Sequence, residues 1–202
     1  MAEHEHDHDH DGEHPVGEVL ERDEDAPERD PEREARKIVA LAQIRKYGDP
    51  VLRMRANEIE VFDEELERLV ERMTQLMHDA DGIGLAATQL GIVRRLFVFS
   101  HEDEDYVLVN PEITRRSRGA GIDDEGCLSL GPVRVPVERS CSVTVEGKDA
   151  RGDDVRLELE GFSARVVQHE LDHLDGTLMI DRTDPESRRE ALRQLRPRLA
   201  LA

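Results

Sequence analysis

Phe162-Ser163-Ala164-Arg165-Val166-Val167-Gln168-His169-Glu170-Leu171-Asp172-His173-Leu174 is the segment that organises the rest of this chain. It reads as a helix that opens after Gly161 and stops near Gly176. Val166, Val167, Leu171 and Leu174 predict that the helix is buried. His169 and His173, four apart, fall on one face one turn apart. Both imidazoles can therefore bind one metal ion, with Glu170 beside them to handle protons. A buried histidine pair with no ligand would be costly.

Outward from this helix the chain supplies short strands. Arg95–Phe99, Tyr106–Val109, Val133–Val137, Cys141–Val145 and Val155–Leu159 alternate apolar and polar residues between Gly, Pro, Asp and Ser. Their alternation predicts antiparallel sheets covered on one face. Ahead of them Leu66, Leu69, Val70, Met73, Leu76 and Met77 mark a core helix behind Asp63 as N-cap. Ile38–Ile44 is a short apolar run, and Gly48-Asp49-Pro50 signals a turn. After the histidine helix, Asp184-Pro185-Glu186 places a cap and an N1 proline before a last helix through Leu192 and Leu195. Strands grouped between helices indicate an α+β fold, with antiparallel sheets around a central HExxH helix and a C-terminal helix.

A catalytic metal takes three protein ligands and one open position, so a third ligand is needed. A metzincin would place a histidine at position 179, which is Met179. A thermolysin-like site would take Glu186 or Glu190. Upstream, Cys127 in Glu125-Gly126-Cys127-Leu128-Ser129 offers a thiolate, which with two imidazoles suits Fe2+, Zn2+, Ni2+ or Co2+. Gly82-Ile83-Gly84-Leu85-Ala86-Ala87-Thr88-Gln89 reads either as a helix cap and tight turn or as a strand lining a narrow cleft, with Gln89 as an N–H donor. Of the two cysteines, Cys141 shares the parity of Val143 and Val145 and is expected to be buried.

Taken together, residues 82–89, 125–129 and 168–174 resemble the peptide deformylase family. The resemblance extends over Gly48-Asp49-Pro50-Val51-Leu52 and Asp181-Arg182 and covers residues 40 to 184. Family members commonly carry a Pro-Gly pair soon after the cysteine motif; here Leu130 precedes Gly131-Pro132, which predicts an altered loop near Arg134.

The resemblance implies hydrolysis of the N-terminal formyl group from formyl-methionine of nascent polypeptides, releasing formate. It implies that Cys127, His169 and His173 hold one divalent ion, most usually Fe2+, and that Glu170 carries protons between water and the leaving amine. The Gln89 side chain and the Leu128 N–H become stabilisers of the developing oxyanion, each on the order of 3 kcal/mol. Ile83 and Gly84 are expected to pair with the peptide as an added strand. Ile83, Phe162 and Val166 are the candidates for the methionine pocket, and Arg134 for a peptide contact or a brace on Glu125.

The chain has 202 residues, with 47 Asp+Glu against 28 Lys+Arg and a formal charge of -19. Residues 1–34 carry fifteen acidic and three basic side chains, or -12, leaving 32 and 25, or -7, for the remainder. That first stretch, with five histidines and almost no large apolar residue, is expected to be a disordered arm. Residues 35–183 are expected to form the catalytic domain, and residues 184–202 an arginine-rich helix. An acidic surface excludes general DNA binding. Six arginines from Arg182 to Arg198, against Asp181, Asp184, Glu186 and Glu190, leave the last helix suited to weak ribosome contact. No apolar run is long enough for a membrane span, so a cytoplasmic protein is expected. Two other classes are open at this stage: an HExxH peptidase using Glu186 or Glu190, and a metal carrier built on the histidine-rich arm.

Overall fold

A computed structural model describes residues 30–196. Most of the expected N-terminal arm, with its histidines, and residues 197–202 therefore lie outside the described residues. Residues 31–34, expected within that arm, instead form the first turn of helix α1 (Pro31–Gln43). Asp30 caps it by accepting from Glu32 N–H, and Pro31 sits at N1, where its missing donor costs nothing.

Helix α2 (Glu64–Asp79) starts as the sequence predicts: Asp63 accepts from the N–H groups of Glu65 and Leu66. Its buried stripe of Leu66, Met73, Leu76 and Met77 packs on one face of a five-stranded antiparallel sheet. The sheet order is β1-β2-β3-β6-β7, from β1 (Gly84–Ala86), β2 (Leu96–His101), β3 (Glu104–Arg116), β6 (Ser142–Lys148) and β7 (Asp154–Glu160). The strands β4 (Ala120–Cys127) and β5 (Gly131–Ser140) form a separate two-stranded sheet.

The sheet is not covered on one face throughout, as the alternation suggested. In β2, Leu96 and Val98 join the cluster with α2, while Phe97 and Phe99 join a second cluster with Val143, Val145, Val167 and Leu174. Helix α3 (Gly161–Leu174) supplies that second cover, so β2 is apolar on both sides. A third cluster places Val133, Val135 and Val137 of β5 against Leu178, Ile180, Ala191 and Leu195. Helix α4 (Pro185–Leu195), capped by Asp184 with Pro185 at N1, closes that side as expected from the sequence.

Cys141 corrects one expectation: it is exposed and unpaired. It occupies the bend between β5 and β6, so the strand parity that buries Val143 and Val145 does not reach it. The stop of α3 depends on Gly176, which has φ +71° and approaches the chain so closely that a Cβ would lie 2.6 Å from the Arg53 carbonyl oxygen. That approach holds the end of the histidine helix against the 3-10 turn at Pro50–Arg53, with Ala56 N–H donating to the Leu174 carbonyl at 2.8 Å. Among the described residues no helix is long and apolar enough to cross a membrane.

Candidate metal centre and substrate cleft

Three chain segments converge on one point. Helix α3 presents His169 and His173 one turn apart, and the last residue of β4, Cys127, comes up against them. Cys127 Sγ lies 3.2 Å from His173 Nε2, the imidazole centroids are 4.9 Å apart, and one donor atom from each of the three residues falls within 4.8 Å of the others. All three are buried. Among the described residues this is the group of side chains able to hold a metal ion. Glu186 and Glu190 sit on α4 beside a different cavity, so the thermolysin-like ligand set is not assembled.

The chemistry of the donors fits a borderline divalent cation. Burial raises the Cys127 thiol, but the neighbouring His173 and His169 outweigh it and hold the group well below the ordinary thiol range. Burial lowers the His169 pKa, while hydrogen bonds with Cys127 and Glu125 more than reverse the effect. The two imidazoles thus favour the thiolate, which is the form of sulfur that binds a metal.

His169 is held by an ionic clamp. Its Nδ1 is 2.9 Å from Glu125 Oε2, which leaves Nε2 for a ligand role. Glu125 in turn accepts from Arg139 Nε and Nη2 and from Arg165 Nη1, each at 2.9 Å. Arg139 Nη1 continues to Asp172 at 2.6 Å, and Asp172 receives Arg182 Nη2 at 2.7 Å. Burial raises the Glu125 carboxyl, yet Arg139 and His169 lower it to about 2. The expected brace was Arg134; that residue is exposed and donates instead to the Asp124 carbonyl at 3.0 Å. Arg139, Arg165 and Asp172 were given no role from the sequence, and Arg182 entered only through the Asp181-Arg182 resemblance and the C-terminal arginine run. One signal was present, since Arg139 continues the inward parity of Val133, Val135 and Val137, where a charge requires a buried partner.

The metal-ligand cluster opens on a cavity of about 1100 Å³. Ile83, Gly84, Gln89, Leu128, Arg134, Phe162 and Val166 all line it, with Cys127, His169 and Glu170; His173 lies behind the wall. Residues 82–89 follow the strand reading only in part: Gly84–Ala86 is β1, at the sheet edge, and Ala87–Leu90 turns as a 3-10 helix. Gln89 Oε1 accepts from Ala86 N–H at 2.9 Å, which turns Nε2 toward Ser129 Oγ at 3.1 Å and Cys127 Sγ at 3.7 Å. A Cβ on residue 84 would stand 2.4 Å from Glu170 Oε1, so glycine is what lets the edge strand and the carboxylate coexist.

Glu170 is buried, and burial, the largest influence on it, raises its pKa against the opposing pull of His169 and His173. Its Oε2 has no hydrogen-bond partner among the described residues. A buried carboxylate oxygen left this way is costly unless a water or a substrate amide meets it. Phe162 and Ile83 are 59% and 44% exposed, apolar surface that a substrate side chain can cover. The site therefore joins a thiol and two imidazoles able to hold a metal ion, a buried carboxylate, an amide donor and an edge strand.

A family model described as polypeptide deformylase matches residues 41–189. The peptide deformylase of Thermotoga neapolitana is 48% identical over 148 residues, spanning 73% of this chain and 90% of that protein. That of Clostridium botulinum is 47% identical over 145 residues, spanning 72% and 98%. Among solved structures, a peptide deformylase from Legionella pneumophila superposes with a TM-score of 0.73 at 38% identity, covering 78% of this chain and 95% of that one. One from Synechococcus elongatus in complex with actinonin gives 0.72 at 41%, covering 75% and 85%.

If the Glu125 clamp orients His169, Glu125→Gln lowers metal affinity about 10- to 100-fold and costs about 3 kcal/mol of stability, because Arg139 and Arg165 lose a buried counter-charge. Competition with a chelator and urea denaturation measure the two effects; unchanged affinity would show that the clamp is structural only.

Proposed function

The chain belongs to the peptide deformylase family, and we propose from that premise how its own residues carry the reaction. The enzyme is a hydrolase that removes the N-terminal formyl group from nascent peptides. The observation that carries the residue assignment is the convergence of Cys127, His169 and His173, with Glu170 and Gln89 on the same cavity.

Cys127, His169 and His173 would hold the divalent ion. When bound, it supplies Lewis-acid polarisation of the formyl carbonyl and acidification of water. Glu170 accepts a proton from the attacking water and delivers it to the amine nitrogen as the formyl carbon–nitrogen bond breaks, so that formate and a free methionine amine leave. Gln89 Nε2 and the Leu128 N–H donate to the formyl oxygen as charge builds there. The fixed Ala86 N–H to Gln89 Oε1 bond means that Gln89 needs little reorganisation to do so. The open edge of β1 at Gly84, with Ile83 beside it, pairs with the peptide backbone as an added strand. The methionine side chain lies against Ile83, Phe162 and Val166, and Arg134 stands near the emerging peptide.

We assign ferrous iron as the native ion, as the resemblance implies, although Zn2+, Ni2+ and Co2+ suit the same donors. We place the reaction in the cytoplasm, where formylated chains emerge. Helix α4 exposes Arg188, Arg189 and Arg193, with Arg196 just beyond it, and this supports weak contact with ribosomal RNA. Arg188 and Arg193 are ion-paired to Asp181 and Glu190, which limits the field they present.

Four outcomes check this account. Glu170→Gln lowers formate release from a formyl-Met peptide at least about 100-fold while the metal stays bound, whereas Cys127→Ala loses metal and activity together; activity surviving in Cys127→Ala would favour an HExxH peptidase using other ligands. Anaerobically purified ferrous protein is far more active than its zinc form, with equal activities contradicting the iron assignment. Salt-sensitive co-sedimentation with ribosomes is reduced by removing residues 184–202, and sedimentation unaffected by that removal would refute docking.

A further inference from the structure

Gln89 can steady a formyl oxygen only if its carboxamide presents nitrogen, not oxygen, to the reacting end of the cavity. Its side chain is buried, on the 3-10 turn Ala87–Leu90. Oε1 accepts from Ala86 N–H at 2.9 Å. A backbone N–H can only donate, so the atom facing it is the oxygen and the nitrogen is turned the other way. One bond still leaves a planar amide free to pivot about that oxygen.

A second bond, at the opposite end of the amide, stops the pivot. Nε2 donates to Ser129 Oγ at 3.1 Å, and Ser129 is itself 1% exposed on the wall of the same cavity. An amide nitrogen carries two hydrogens. Ser129 takes one of them, and the other is left for the side on which Cys127 Sγ lies, 3.7 Å from Nε2. A carbonyl polarised at the metal ligands would meet this second hydrogen.

Both partners are held by the backbone. Leu128 and Ser129 are the central residues of the turn between β4 and β5, which Leu130 N–H closes by donating to the Cys127 carbonyl at 2.9 Å. The segment that follows α1 ties this turn to the one bearing Gln89. Arg45 N–H donates to the Gln89 carbonyl at 2.7 Å, and Tyr47 N–H, two residues on, donates to the Ser129 carbonyl at 2.8 Å. On the other flank Thr88 Oγ1 donates to the His173 carbonyl at 3.2 Å, which sets the Gln89 turn against the helix of the two imidazoles. The fold thus fixes how far Gln89 stands from Ser129 and from the metal ligands, and the Ser129 hydroxyl converts that spacing into an orientation of the amide.

We propose that Ser129 is a positioning residue for deformylation: its Oγ accepts one Nε2 hydrogen of Gln89, holds the other toward the oxyanion, and contributes to the rate through Gln89. This rests on the deformylase reading and on the role of Gln89 given with it, and adds a residue that acts through another side chain rather than on the substrate. Because the amide is oriented before the substrate arrives, the gain falls on the transition state and not on binding.

The test uses the metal-loaded full chain in a cycle of Ser129→Ala, Gln89→Leu and the double variant, with a formyl-Met peptide as substrate. Gln89→Leu is expected to lower kcat at least about 100-fold. Ser129→Ala is expected to lower it about tenfold with KM and metal content unchanged, because Ala86 N–H still holds Oε1. In the Gln89→Leu background the same Ser129→Ala change should cost less than about twofold, since the group it orients is gone. A second readout is independent of turnover. In zinc-loaded protein carrying isotopically labelled glutamine, the two Gln89 Nε2 protons should give separate resonances, and Ser129→Ala should shift the one bonded to Oγ and hasten its exchange with water. Unchanged kcat in Ser129→Ala, equal losses in both backgrounds, a loss that falls on KM or metal content, or unmoved Gln89 amide resonances would each overturn the proposal while leaving deformylation intact. Full activity in Gln89→Leu would overturn the Gln89 assignment and this proposal with it. No formate from the unaltered protein would overturn the deformylase reading and both together.

Discussion

The buried carboxylate of Glu125 is the constraint on which the centre depends. It lies two residues before Cys127 on β4 and bonds directly to His169 on α3, so it couples the two chain segments that must bring sulfur and nitrogen together. Such a charge cannot be buried alone, and Arg139 and Arg165 supply its compensation. Arg139 then reaches Asp172, also buried, in the last turn of α3, and Arg182 fastens Asp172 to the chain leading into α4. The histidine helix is therefore positioned on its polar side by ion pairs and on its apolar side by Phe97, Phe99 and Val145 of the sheet. Neither kind of interaction would suffice, since apolar packing sets the depth of the helix while directed hydrogen bonds set the orientation of one imidazole.

The chemistry-bearing parts were legible because they are local in sequence. Helical spacing put His169 and His173 on one face, while Cys127 stood beside Glu186 and Glu190 as a possible third ligand until the family resemblance favoured it; the fold brings it against the two imidazoles. The N-caps at Asp63 and Asp184 were legible for the same reason, each being a side chain bonded two or three residues onward. What escaped was non-local or lacked an apolar pattern. Strand β4 runs through Gly121, Ile122, Asp123 and Asp124, largely exposed, and offers no alternation to read. Strand β1 has three residues, too few for any periodicity. Arg134 was expected to contact the peptide or to brace Glu125; the hairpin register sets it opposite Gly126 and turns Arg139 inward to Glu125 instead. Ile38–Ile44 was seen only as an apolar run; its helix extends back to Pro31 because Asp30 and Pro31 give it a start and α2 gives it a surface.

The acidic charge of the chain also divides more sharply than composition suggested. Much of it lies before residue 35, whereas Glu125 and Asp172 are held in buried pairs around α3, where their role is structural. At the cleft, one carboxylate, Asp81, pairs with two cations of α1, Arg33 and Lys37.

X-ray absorption at the metal edge of the anaerobically prepared protein tests the central assignment most directly, because it reads the donor atoms themselves. The account predicts one sulfur scatterer at about 2.3 Å and two imidazole nitrogens at about 2.0–2.1 Å, together with lighter oxygen. A shell of nitrogen and oxygen alone, with no sulfur, would contradict it.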